Sequence, residues 1–252
     1  MIRALFGQAV LGLALLGATS GAAQASAFTV APVRVTLSAQ QPVAAITVTN
    51  TGTEPTLVQL ETMQWSQADG KEILDVSTAV LATPPIFTIP AGRSQIVRVG
   101  LRRAPDVKRE LTYRLILREI LPPVQTTGLR VALKISMPVF IAPAAVAALP
   151  ALQWHARRMA DGDIRIVASN TGTAHIQLGQ LEIVQAADGR SIATHPTADY
   201  VLPDNSRTWI VKAKSAPLAG TLLRVSSQTD AGKVQSDVAL EDDGAAPATA
   251  SR

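Results

Sequence analysis

Cysteine is absent from the 252 residues, which excludes disulfide staples, thiolate metal sites and thiol nucleophiles. Histidine occurs only as His155, His175 and His195, and methionine four times; neither offers a metal-ligand spacing. No nucleophile elbow, phosphate loop or zinc pattern appears, and no pair of acids can be nominated for hydrolysis. These absences point to a protein that is not an enzyme and carries no cofactor, since a site must be argued separately from a fold. Basic residues do not form a one-sign stripe either. Their densest run, "RVGLRRAPDVKRE" at 98–110, also contains acids, so it reads as a solvated face or loop and no nucleic-acid partner is expected.

Long apolar runs are missing beyond the first 27 residues. Those residues combine Arg3, an apolar stretch from Ala9 to Leu16 and the small-residue sequence "AQASA", the pattern of a secretory signal cleaved after Ala25 or Ala27. A signal anchor is the alternative, but the run is short for a bilayer. Such a leader implies export of the mature chain. It would have about 225 residues and a charge of about +3, the formal +4 less Arg3, which suits one large domain or two of roughly 110 residues.

Helical periodicity is nearly absent too, and short β-rich runs between turn signals take its place: "AAITVTNTG", "PTLVQLETMQW", "SQIVRVGL", "LTYRLILREI", "DIRIVASNTG", "IQLGQLEIVQ", "TWIVKA" and "TLLRVSS". Such spacing predicts an all-β chain of antiparallel sandwiches. An internal repeat sets the domain count. "VTNTGTEPTLVQLETMQWSQADGKEI" at 48–73 is echoed by "ASNTGTAHIQLGQLEIVQAADGRSI" at 168–192. Each copy runs through an Asn-Thr-Gly turn, a strand and an Asp-Gly hairpin. We expect domains at 28–145 and 148–245, joined near "APAAVAALP", and a disordered tail at 246–252.

One segment stands out. In "LTYRLILREI", Tyr113, Leu115 and Leu117 alternate with Arg114, Ile116 and Arg118. After the loop "LPPVQTTG" comes "GLRVALKISMPVF", 128–140, which is apolar at every odd position from Leu129 to Val139. The two form a hairpin. Its second strand, at the end of a domain, is either central, with its odd face in the chain's own core, or an edge whose unpaired backbone and apolar side chains invite another chain. Pattern alone leaves both open.

"ATPPIFTIPAGRSQIVRVGLRRAPD", "YRLILREI" followed by Pro-Pro, and "GLRVALKISMPVFIAP" together resemble the periplasmic chaperones of the chaperone-usher pilus pathway, the PapD-like superfamily. The archaic branch that serves spore-coat-U-like subunits is the most similar. The resemblance runs from about 28 to 245, strong in the first domain and weak in the second. It implies two immunoglobulin-like sandwiches in an L or boomerang arrangement. It implies too a chaperone that lends a β-strand to a pilus or spore-coat-U-like subunit and delivers it to an outer-membrane usher, without a cofactor. By position the donor residues are Leu129, Val131, Leu133 and Ile135, whose burial in a subunit would contribute roughly 1.5 to 3 kcal/mol each. Self-association through the donor edge is a further contact open to the free protein. A structural or adhesive module of a surface fibre is the competing reading.

In the better known members of this family, a cleft arginine and a lysine bind the subunit's terminal carboxylate. Arg34 in "APVRVTLS" matches the arginine; the lysine position falls on Pro138, so the resemblance leaves Lys134 or Arg114 to supply the second charge. Glu119 matches an acid of the family's interdomain charge network, but the usual arginine partner falls on Ala142. Domain orientation is then expected to rest on apolar contacts around Val139 to Pro143.

Overall fold

The computed structural model describes residues 28–68, 70–121, 131–215 and 217–242. The segment 1–27 read as a secretory leader, the tail at 246–252 and Leu129 lie outside the described residues. The first ten strands are β1 (Phe28–Ala31), β2 (Val35–Leu37), β3 (Val43–Asn50), β4 (Thr56–Ala68), β5 (Lys71–Val76), β6 (Val80–Thr83), β7 (Ile86–Ile89), β8 (Ser94–Leu101), β9 (Leu111–Ile120) and β10 (Lys134–Ile141). They make a four-stranded sheet, β1-β3-β8-β6, and a six-stranded sheet, β2-β10-β9-β4-β5 with β7 on β4. Alternation decides what lies between the sheets. Ile46, Val48, Val97 and Val99 of the first sheet meet Val58, Leu115, Leu117 and Val139 of the second in one buried cluster.

Eight more strands follow: β11 (Leu152–Arg158), β12 (Ile164–Asn170), β13 (Ile176–Gln185), β14 (Ser191–His195), β15 (Tyr200–Val201), β16 (Asn205–Val211), β17 (Leu222–Thr229) and β18 (Gly232–Asp242). Their order is β14-β13-β17-β18-β11-β12-β16, and a parallel pairing of β11 with β18 joins the two halves into a second sandwich. Its core is built from Ile164, Ile166, Leu181, Ile183, Leu223, Val225 and Trp209. The chain is all-β with two sandwich domains, as its pattern of runs and turns predicts.

The repeated Asn-Thr-Gly turns are built alike. Asn50 Nδ2 donates to the carbonyls of Glu54 and Ile89 while its Oδ1 accepts the Gly52 N–H. Asn170 Nδ2 donates to Ala174 and Val201 and its Oδ1 accepts the Gly172 N–H. Both asparagines are buried, so each is more than a turn former: it ties its own turn to the carbonyl of a separate strand end, Ile89 or Val201. The two Asp-Gly hairpins also match, with φ of 72° at Gly70 and 73° at Gly189, a conformation that costs glycine nothing.

The domains meet through a third apolar cluster of Trp65, Phe140 and Leu202, with Tyr200 packed against it. Around it, Gln67 Nε2 donates to the Tyr200 carbonyl and Gln67 Oε1 accepts the Leu202 N–H, at 2.9 and 3.1 Å. Arg207 of β16 reaches the Gly70 carbonyl in the β4–β5 turn. Phe140 belongs to the segment Val139 to Pro143, so apolar contact there does contribute to domain orientation.

Candidate functional site

The hairpin of β9 and β10 forms as its alternation predicts, but its second strand begins later. Ladder pairing runs from Lys134↔Arg118 to Ile141↔Leu111, and Val131 to Leu133 lie outside β10. On its other side β10 meets only β2, in parallel, through Val139↔Val35, Phe140↔Thr36 and Ile141↔Leu37. Among the described residues, positions 134–138 have no partner strand on that side. The strand is therefore interior at one end and an open edge at the other.

Strand parity assigns the two kinds of group on this edge. Glu119 N–H donates to the Leu133 carbonyl, so odd residues turn their backbone polar groups toward β9 and even residues turn theirs outward. Lys134 and Ser136 present both N–H and C=O on the open side. Pro138 presents only C=O, an arrangement open to proline where no ladder donor is needed. The odd side chains enter the chain's own core: Met137, Val139 and Ile141 are buried in it. Leu133 and Ile135 are half-buried against it, and Val131 is 65% exposed. Both sequence alternatives thus hold, at opposite ends of one strand.

Glu119 has a different place from the one its family position implied. It lies seven residues along β9 from Thr112, roughly 23 Å at strand rise, whereas Thr112 Oγ1 bonds the Trp65 carbonyl beside the domain junction. Its carboxylate, in a residue 6% exposed, accepts the Leu133 N–H at 3.0 Å. Glu119 therefore clamps the approach to β10 on both backbone groups of Leu133.

The open edge runs down to a charged cleft between the domains. Arg34 immediately precedes Val35, the partner of Val139, and so stands level with Pro138; Pro138 is in turn opposite Arg114. Arg34 and Arg114 flank Pro138 on the outer face. Lys134 is four residues away, roughly 13 Å along the strand, and does not join them. Arg114 is already engaged: its guanidinium lies 3.7 Å from the Trp65 ring centroid and its Nη2 bonds Glu72 at 2.9 Å, which fixes it by cation–π contact and ion pairing. The Arg34 side chain, 43% exposed, pairs through Nη1 with Asp230 Oδ2 of the second domain at 2.9 Å. It is therefore partnered in the free protein as well.

Beneath Arg34 the cleft is lined by rings. His175 stacks on Phe140 with centroids 3.5 Å apart and planes 6° from parallel, and Tyr200 stands 5.6 Å from each ring. Burial pushes the Tyr200 phenol up from its ordinary value, and the positive charges of Arg34 and Arg114 pull it partly back. Glu110 Oε1 accepts the backbone N–H of His175 at 3.1 Å and meets its ring Nδ1 at 2.7 Å. Glu110, His175, Tyr200 and Asp230 carry no sequence signal of this role: Asp230 sits in the turn before β18 and reads as an ordinary hairpin residue. No group of His, Cys, Asp and Glu able to hold a metal occurs among the described residues.

Residues 27–147 match the family described as pili and flagellar-assembly chaperone, PapD N-terminal domain. A comparison with curated proteins finds no match. Among solved structures, the chain is similar to one from the CsuC–CsuE chaperone-tip adhesion subunit pre-assembly complex of archaic chaperone-usher Csu pili of Acinetobacter baumannii. The TM-score is 0.63 at 18% identity, over 85% of this chain and 99% of that one. It is similar to the E. coli chaperone DraB, with a TM-score of 0.56 at 21% identity over 86% and 98%. A chain of the Salmonella enterica SafA pilin–SafB chaperone complex aligns with a TM-score of 0.58 at 18% identity, over 85% and 96%. Each shares the two-domain fold over nearly its whole length.

Proposed function

We propose, from the match of residues 27–147 to the PapD N-terminal domain of pili and flagellar-assembly chaperones and from the open edge of β10, that the chain captures pilus subunits in the periplasm by lending them that edge and passes them to an outer-membrane usher. The observation that carries this reading is the half-covered strand. Lys134, Ser136 and Pro138 face outward with backbone groups that no strand among the described residues pairs, beside apolar side chains at Val131, Leu133 and Ile135 that their own domain covers only in part. A subunit lacking one strand supplies what such an edge lacks, a backbone ladder and an apolar groove. Leu129, of the same parity, would extend the donor series.

Arg34 is the anchor for the subunit's terminal carboxylate in this reading. It stands where the open edge ends, it is half exposed, and it already holds a carboxylate. Arg114 adds positive field from the adjacent strand. Lys134 stands too far along β10 to share the same carboxylate.

The test is co-expression with a subunit that lacks its own donor segment and is encoded beside this gene. A stoichiometric complex should elute as one species, and Arg34→Glu should weaken it by at least ten-fold, since truncating a paired interfacial charge costs about 2 to 5 kcal/mol. A subunit that stays unbound in the presence of the parental protein overturns the reading.

A further inference from the structure

Asp230 Oδ2 stands between the Arg34 guanidinium and the His175 ring. It is 2.9 Å from Arg34 Nη1 and 3.5 Å from His175 Nε2. Its Oδ1 accepts the Gln177 N–H at 3.2 Å, which keeps the carboxylate seated in the turn between β17 and β18. His175 Nε2 is buried and has no hydrogen-bond partner, although a carboxylate oxygen faces it. At 3.5 Å the two atoms stand just beyond hydrogen-bond range. Glu110 Oε1, already an acceptor for the His175 backbone N–H, meets the ring at Nδ1, so Nδ1 is committed to that carboxylate and Nε2 is left to Asp230.

Resting on the chaperone reading above, we propose that Asp230 is an internal stand-in for the subunit's terminal carboxylate. It occupies Arg34 in the free protein and, when the subunit takes Arg34, closes on His175 Nε2, which takes up one proton from solvent as it does so. The move is short: a 3.5 Å separation has to contract only to the hydrogen-bond range near 2.9 Å. The charged and titratable groups around the ring agree with it. Glu110 faces Nδ1, Asp230 faces Nε2, Arg34 lies beyond Asp230, and Tyr200 stands beside the ring. Once Arg34 turns to the subunit, Asp230 keeps the imidazole as its neighbour without the guanidinium beside it, and a ring carrying protons on both nitrogens satisfies Glu110 and Asp230 together.

Capture would then be an exchange of one carboxylate for another, reported at the domain junction because His175 stacks on Phe140 of β10. Asp230 becomes a positioning residue. It keeps Arg34 extended over the cleft, and it gives up that place only to a ligand with a carboxylate of its own.

Nitrogen NMR of the full chain labelled at histidine tests this, since only three histidines contribute. The probe is the neighbouring-gene subunit without its donor segment, prepared once with a free C-terminal carboxylate and once amidated. With the free carboxylate, the Nε2 signal of His175 should move from the range of a lone-pair nitrogen to that of a protonated one. It should stay in place with the amidated subunit and in the Asp230→Asn complex. An unmoved His175 signal in the carboxylate complex overturns the proposal, and so does the same shift in the Asp230→Asn complex. If neither subunit form binds the parental protein, the chaperone reading itself fails and this proposal with it, an outcome distinct from binding without a His175 response.

Discussion

The rings of Phe140 and His175 lie 3.5 Å apart and 6° from parallel, one from each domain. Because Phe140 is the last residue but one of β10, the strand with the open edge is also the strand that touches the second domain. Phe140→Ala removes a fully buried ring and leaves a cavity between the domains. We expect a loss of about 3 to 5 kcal/mol, read as a lower urea midpoint, and a change of interdomain angle read by small-angle scattering. Parental stability would mean that the ring packing contributes nothing to the junction.

Val131 and Met137 share one parity and differ in burial, 65% exposed against 2%. Val131→Asp should leave the melting temperature of the free protein near the parental value and weaken subunit capture, whereas Met137→Ser should lower the melting temperature heavily through lost core packing. Melting beside binding, on both variants, separates the two roles. Equal melting for both variants would contradict the division of the strand.

Glu119 predicts a local effect. Its carboxylate accepts the Leu133 N–H, so Glu119→Ala leaves that amide without its acceptor and should cost roughly 1 to 3 kcal/mol. Amide exchange at Leu133 should quicken, while Glu119→Gln, which keeps an acceptor oxygen, should retain most of the protection. Unchanged exchange in the alanine variant would show that the clamp is not needed.

Asp199 gives a dependence on pH. Burial on its own would raise its carboxyl, but Arg207, Thr197 and Trp209 all donate to it and together hold it below its ordinary value of 3.8. A carboxyl depressed in the folded state stabilises above its unfolded value, and that contribution disappears as pH falls through the folded one. Melting temperature should therefore drop below about pH 4 more steeply in the parental protein than in Asp199→Asn. Because Arg207 also holds the Gly70 carbonyl, the same acidification should loosen the second domain's grip on the β4–β5 turn.

The sandwiches, the hairpin of β9 with β10 and the duplicated asparagine turns were legible because each rests on local periodicity or turn chemistry. Arg34 was legible only through family position, and its pairing with Asp230 was not, because that contact spans 196 residues and depends on how two domains meet. The bond from the Leu133 N–H to the Glu119 carboxylate was not legible either: an acid next to a strand end looks the same whether it faces a second domain or its neighbour's backbone. Odd-even alternation in the sequence continues through Val131 and Leu133, but the regular ladder begins at Lys134, because the Leu133 N–H goes to the Glu119 carboxylate and not to a β9 carbonyl.

The three-residue pairing of β2 with β10 sets a limit on anything added beside it. From Val139 onward the ladder positions are taken by Val35, Thr36 and Leu37, and Pro138 just before them has no N–H to offer. A strand laid along this edge must therefore terminate at Arg34, however long it is. β2 acts as a ruler stop, so the register of the guest is read from where the edge closes and needs no match of side chains to define it.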